Sequence, residues 1–472
     1  MWFNSWEFVI FLPIVLITYY ALNHRAQNIW LIIASYVFYG FWDWRFFALI
    51  AFSTLIDFFA AQQISDSKTK ARKKFFLSLS LSVNLGALAI FKYFNFFIDS
   101  FIEFGAWFGL NFDTPVMRLL PPIGISFYTF QTLAYSIDVY RGKMEASRKI
   151  TDFALYVCYF PQLVAGPIER AQRLLPQIAK KRNVSQAMIN SGCFLILVGL
   201  FKKIVIADNA GIHADKVFSD PSGATSIQLW AGMILFSIQI YGDFSGYSNI
   251  ARGVSRLFGI ELIENFQTPY FSRNITEFWR RWHISLSSWL KDYLYIPLGG
   301  NRHGKYKTYR NLMLTMIIGG LWHGAAWTFV IWGSLHGLYL AIHKLWVNSN
   351  LSQWCHKKSV VPHWISWLIG VMLTFHLVAF TWIFFRADSF QMAWLYISNM
   401  LSFQGAIRLR DVFIPALLIL ALLPIEIIQY RKTDIFSFLK LPFIVRTVAY
   451  GGIIFALIIW SGNDVPFIYF QF

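Results

Sequence analysis

Residues 364–385 read WISWLIGVMLTFHLVAFTWIFF, a run without a single Asp, Glu, Lys or Arg. Wound as a helix that rises about 1.5 Å per residue, it covers the roughly 30 Å hydrocarbon core of a bilayer. Similar apolar blocks lie near 6–22, 29–44, 46–61, 75–98 and 119–140, and again near 187–207, 227–247, 312–327, 330–345, 412–428 and 445–460. Two shorter stretches, 153–165 and 390–401, fall below spanning length and read as re-entrant or interfacial elements. The blocks predict an all-α polytopic membrane protein.

Composition agrees. Of 472 residues 57% are hydrophobic, 19% aromatic and 14% charged, against about 25% charged in ordinary soluble domains. Mean hydropathy is +0.49. A water-soluble enzyme, a disordered tail and a disulfide scaffold are excluded. The formal net charge of +17 would point to nucleic acid in a soluble protein. Here it fits basic loops held on the cytoplasmic side of a lipid bilayer, with no nucleic acid involved. The densest cluster is Lys68, Lys70, Arg72, Lys73 and Lys74, followed by Arg141, Lys143, Arg148 and Lys149. Two spans separate them, so both can be cytoplasmic. Arg170, Arg173, Lys180, Lys181 and Arg182 join them if 153–165 does not cross. Counting back three spans from Lys68 puts the N-terminus outside. The first four residues hold no basic run, so the first block reads as a retained span and not a cleaved signal. Cys158, Cys193 and Cys355 show no paired spacing, which argues against a disulfide framework or a thiolate zinc site. Without repeats or linkers, 1–472 reads as one domain, with core motifs at about 120–390 and C-terminal helices over 391–472.

One region breaks the hydropathy pattern. Residues 248–310 carry ten Lys/Arg against four acidic residues, mixed with aromatics and Gly-rich turns. A connection this long inside a compact unit is usually functional, and irregular backbone at membrane depth survives only when buried or lining a cavity. Phosphate-loop, nucleophile-elbow, HExxH and GxGxxG motifs are missing from the chain. Of the ten histidines, His24, His213, His303, His343, His356 and His363 sit among polar or charged neighbours and read as solvated. His323, His336 and His376 lie inside apolar blocks, where an ionisable group is a functional candidate. The glycine pairs Gly320/Gly324 and Gly333/Gly337 bracket two of them. Close helix packing explains the glycines but not the histidines between them. A neutral imidazole at depth can take a proton at physiological pH. In 273–283, RNITEFWRRWH, Trp279 and Trp282 with Trp289 fit one aromatic helix face, and Arg280, Arg281 and Lys291 can hold phosphates. The alternative is a juxtamembrane helix with interfacial anchors.

These residues carry a resemblance. WRRWHISLSSWLKDYLYIPLGGNRHG (279–304), GGLWHGAAW (319–327) and WGSLHG (332–337) resemble the membrane-bound O-acyltransferases (MBOAT), within them the bacterial alginate O-acetylase branch. PPIGISFYTFQTLAYSIDVYRG (121–142), FPQLVAGPIER (160–170), GDFSGYSNIARG (242–253) and TWIFFRADSF (381–390) fit the same branch. The resemblance implies about eleven transmembrane helices, with re-entrant or interfacial helices, around a central funnel or tunnel. It maps His323 onto the family's WHG histidine and His283 onto the second polar position of the site. Arg280, Arg281, Asn301 and Arg302 become candidate contacts to the donor, with Trp322 and His336 in support.

The implied chemistry is O-acetyl transfer, with His323 as general base and His283 orienting substrate or stabilising charge. Acetyl-CoA is the implied donor, with acyl carrier protein as another source, and no metal is implied. The implied setting is the bacterial inner membrane, where the acetyl group passes across to a periplasmic SGNH-like acetyltransferase or other acceptor protein for a polysaccharide such as alginate. Peptidoglycan or another envelope polymer, and D-alanyl transfer to teichoic acid, stay open as alternatives. Outside the enzyme class the rival is a proton-coupled transporter, whose internal repeats the sequence lacks.

Overall fold

The computed structural model describes the chain apart from residues 111, 113–117, 351–361, 407, 461–466 and 469–472. Cys355 and His356 lie outside the described residues. Among the described residues the regular elements are helices, without a strand. Six helical stretches are long and apolar enough to cross a bilayer: His24–Asp66, Lys70–Ala106, Gln186–Ser219, His363–Arg386, Leu409–Lys432 and Phe443–Trp460. Their outer faces carry exposed Ile, Leu, Phe and Trp, including Phe59, Phe101, Leu420 and Ile458. In water such a surface would aggregate; against lipid it is matched. The protein is an all-α, multi-pass membrane protein.

The helices form two compact units, Met1–Ile196 with Ile250–Ile263, and Leu197–Asn249 with Glu264–Phe472. In the first, the blocks near 29–44 and 46–61 become the helices His24–Asp43 and Phe47–Asp66, parted by the single turn Trp44–Phe46. Asp57, fully buried, binds three helices together. It accepts from Ser80 Oγ at 2.5 Å and from Asn84 Nδ2 at 2.9 Å, while Ser136 Oγ lies 3.5 Å away. Polar groups without water must find such partners inside the protein. The short stretch 153–165 does not form one helix. Ile150–Cys158 ends at Tyr159 and a single turn, Phe160–Leu163, follows. The Tyr156 carbonyl freed by the break accepts from Gln131 and Gln162, each at 2.7 Å. Broken backbone is tolerated because side chains replace the lost helical bonds.

In the second unit, Gly304–His323 and Trp327–Val347 make a helical hairpin turned by Gly324, Ala325 and Ala326. A Cβ on Gly320 would collide with the Phe329 carbonyl, and one on Gly333 with the Met316 carbonyl. The glycines let the two backbones touch, as small residues do between membrane helices. Gly333→Ala is therefore expected to force the hairpin apart and cost about 1–3 kcal/mol, seen as a lower melting temperature in detergent. An unshifted melting curve would mean that the hairpin tolerates spreading.

Gln186–Leu200 runs on through a π-helical stretch, Phe201–Asp208, into Asn209–Ser219. That stretch carries two buried lysines. Lys202 pairs with Glu426 at 2.8 Å, and Tyr241 Oη donates to the same carboxylate at 2.7 Å. Lys203 lies 2.7 Å from Asp208 and 3.0 Å from Asp243. Each charge sits within a fixed ion pair, the condition for keeping charge at such burial.

Candidate active site

The irregular region after Leu257 contains two short helices, Ile275–Arg281 and Ile284–Leu290, instead of the one aromatic-faced helix expected from Trp279, Trp282 and Trp289. His283 separates them in the left-handed region, at φ 44° and ψ 56°. A histidine there is strained backbone, and such strain gathers at functional sites. Trp289 accordingly packs on Tyr293, whereas Trp279 packs on His336 and Trp282 on Trp382. Asn274 starts the first helix by accepting the Glu277 N–H at 2.9 Å, an ordinary N-cap.

His283 is fully buried. Asn265 Oδ1 accepts the Ser285 N–H at 3.1 Å and the Ser285 hydroxyl at 2.8 Å. The backbone donor identifies that Asn265 atom as the oxygen. An amide oxygen only accepts, so His283 Nδ1, 3.3 Å away, is the donor. The lone pair is thereby left on Nε2. Burial lowers the His283 imidazole to about 3, so at physiological pH the ring is neutral, an acceptor that does not itself take up a proton.

His323 ends its helix. Its ring centroid lies 6.4 Å from that of His283, 4.9 Å from Trp322, 5.0 Å from Trp332 and 5.4 Å from Phe385. Phe244 stands edge-on to His283 at 4.7 Å. His336 lies across Trp332, 4.7 Å from that ring. It is fully buried, with Nε2 3.0 Å from Thr381 Oγ1. The second unit thus brings His283, His323, His336 and Trp322 together within one aromatic cage. His376 stands apart, its Nδ1 bonded to the Met372 carbonyl at 2.8 Å, an arrangement that packing alone accounts for.

The other face of Ile275–Arg281 opens on a cleft of about 490 Å³ lined by Thr268, Arg273, Thr276, Glu277, Arg280, Arg281, His343 and Tyr430, among others. Helical spacing makes this two-faced. Residues 276, 277, 280 and 281 share one side, and 275, 278, 279 and 282 are buried on the other. Glu277 pairs with Arg281 at 2.9 Å and with Arg273 at 3.2 Å. Burial alone would raise its carboxyl, but the Arg273 hydrogen bonds and the two arginine charges hold it below the usual carboxylate range. Arg281 also lies over the Tyr430 ring at 5.2 Å. Arg280 is exposed and has no carboxylate partner among the described residues. It is the guanidinium available to an anion. Asn301, Arg302 and Lys291 are exposed and outside the lining of this cleft. Among the described residues no three His, Cys, Asp or Glu side chains converge as a metal site would require.

Several site residues escaped the sequence reading. Asn265, which fixes the His283 tautomer, lies 18 residues from His283 with no motif spacing to it, and Phe385 and Trp382, which wall the cage, stand in the stretch 381–390 with nothing to mark them there as site residues. His343 looked solvated, yet its Nδ1 lies 2.9 Å from Thr276 Oγ1 in the cleft.

Residues 146–402 match the model of the membrane-bound O-acyltransferase family. A Pseudomonas aeruginosa protein named "Probable alginate O-acetylase AlgI" is 43% identical over 407 residues, covering 85% of this chain and 75% of its own. A "Peptidoglycan O-acetyltransferase" of Helicobacter pylori is 38% identical over 435 residues, covering 85% and 80%. A Bacillus subtilis "Teichoic acid D-alanyltransferase" is 28% identical over 292 residues, covering 58% and 71%.

Proposed function

The chain belongs to the membrane-bound O-acyltransferase family, and from that premise we propose that it takes an acetyl group from a cytoplasmic thioester and passes it across the membrane for O-acetylation of a polysaccharide outside. The observation that carries this reading is the approach of His283 and His323, 6.4 Å between ring centroids, inside a buried aromatic cage. Acyl transfer from a thioester needs a base for the attacking hydroxyl and a site that excludes water. His323 takes the hydroxyl proton as the oxygen attacks the acyl carbon. The carbon–sulfur bond then breaks, the ester bond remains, and the proton passes from His323 to the departing thiolate. The C-terminal end of a helix, where His323 stands, tolerates that transient positive charge. His283, neutral and with its lone pair on Nε2, orients the incoming hydroxyl through a bound water that donates to Nε2 and to the hydroxyl oxygen. His336 and Trp322 hold the cage in register.

The donor's phosphates bind in the cleft at Arg280, with Arg281 fixed beside it. Acetyl-CoA is the donor to test first, and an acyl carrier protein thioester second. The acceptor is a periplasmic SGNH-like acetyltransferase or another acyl-acceptor protein serving alginate, or alternatively peptidoglycan. The chain sits in the bacterial inner membrane with its N-terminus outside.

The test is purified protein in detergent with radiolabelled acetyl-CoA and a hydroxyl acceptor. Thiol release matched by label on the acceptor is the expected result. Failure with both acetyl-CoA and acetyl-loaded carrier protein, the partner being supplied, would sink the reading. In the same assay Arg280→Gln is expected to raise KM for acetyl-CoA about tenfold with kcat nearly unchanged, since a charge-assisted phosphate contact acts in binding. Acetyl-pantetheine, which lacks the phosphates, should not notice the change. An equal penalty on both donors would remove Arg280 from the phosphate site.

A further inference from the structure

The segment 381–390, TWIFFRADSF, has no part in the reaction as drawn, yet it closes one side of the cage. Thr381 bonds His336 as above, and Arg386 pairs with Asp215 at 2.8 Å, tying down the end of the helix His363–Arg386. Between them, Trp382 and Phe385 are each 1% exposed. Phe385 lies 5.4 Å from His323 and 4.8 Å from Phe329. Trp382 backs it at 5.1 Å and stacks along Trp332 at 5.7 Å.

We propose that Phe385, backed by Trp382, is the wall that restricts the transferred acyl group to acetyl size. This rests on the acyl-transfer reading given above. If His323 takes the hydroxyl proton, hydroxyl oxygen and acyl carbon meet within about 3–3.5 Å of one another, the oxygen in hydrogen-bond reach of the ring. The tail of the acyl group then lies among the rings that border His323. None of these can give way cheaply. Trp332 rides on a helix whose backbone touches its neighbour at Gly333, and Trp382 is held by Trp282 at 5.2 Å as well as by Trp332 and Phe385. Packed interiors respond to an extra methylene with strain and not with flow. A pocket that fits a short chain discriminates by about 10–200-fold per methylene.

The experiment compares kcat/KM for acetyl-CoA and butyryl-CoA, and for the same groups on acyl carrier protein, with wild type, Phe385→Ala, Phe385→Leu and Trp382→Phe. The readout is the butyryl-to-acetyl ratio, which a merely structural defect would leave unmoved while lowering both rates. Wild type should favour acetyl. The ratio should rise at least tenfold in Phe385→Ala and by less in Phe385→Leu and Trp382→Phe, following the volume removed. If Phe385→Ala does not fold, the two milder variants carry the comparison. An unchanged ratio in any variant that still transfers acetyl would overturn the wall, as would a wild type that accepts butyryl equally. A wild type inert toward every thioester with its partner supplied would instead overturn the acyl-transfer reading, and the wall with it.

Discussion

Replacing His323 by alanine is expected to lower acetyl transfer by a factor of about 10²–10⁴, the usual contribution of a positioned general base, while the protein still extracts and melts as a folded helical bundle. His323→Gln should lose as much. Glutamine keeps bulk and a hydrogen-bonding group but cannot take a proton, so it separates proton transfer from packing among Trp322, Trp332 and Phe385. The loss should fall on kcat and not on donor KM, because the base acts on the transition state and not on the phosphates bound near Arg280. His283→Ala should cost less, since a ring lowered to about 3 orients but does not ionise. The pH–rate profile should therefore contain no step from His283 between pH 5 and 9. Equal turnover by wild type and His323→Ala would end the catalytic assignment.

The second large effect is on folding. Lys202→Met leaves the Glu426 carboxylate buried opposite a thioether, with Tyr241 as the one remaining side-chain donor among the described residues. Breaking one side of a buried pair typically costs about 3–5 kcal/mol, and removing both sides costs far less. The single variant should extract poorly and melt low, and Lys202→Met with Glu426→Leu should recover most of the loss. A double variant no more stable than the single would show that the loss does not come from the orphaned carboxylate and that the lysine is needed for something else.

The sequence carried the helical, membrane-spanning character because apolar length reports directly on the solvent around a segment. The block near 364–385 became the helix His363–Arg386 and 390–401 became Phe390–Leu401. It also brought out His323 and His283, because each stands in a motif with its own wording. The short helices around His283 were less legible. A left-handed residue at a histidine leaves no periodic trace, so Trp279 and Trp289 looked like one face when a break lies between them. Asn265 was invisible for a different reason. Its importance lies in accepting two hydrogen bonds from Ser285 and one from His283, a tertiary relation that no spacing encodes. Arg280 and Arg281 looked equivalent as neighbours, and tertiary contacts, the ion pair to Glu277 and the Tyr430 ring, distinguish the occupied guanidinium from the available one.

The π-helical stretch Phe201–Asp208 makes the length of its helix as consequential as its composition. Its wider i→i+5 turns take up about one extra residue, which sets the phase of everything downstream. A further inserted residue, beyond the one these wide turns hold, would rotate Asp215 by about 100° relative to Lys202, so Arg386 and Glu426 could no longer both keep their partners. Side-chain changes along Asn209–Ser219 can drift one at a time, whereas a one-codon insertion in the stretch before it would be felt at once by two distant helices.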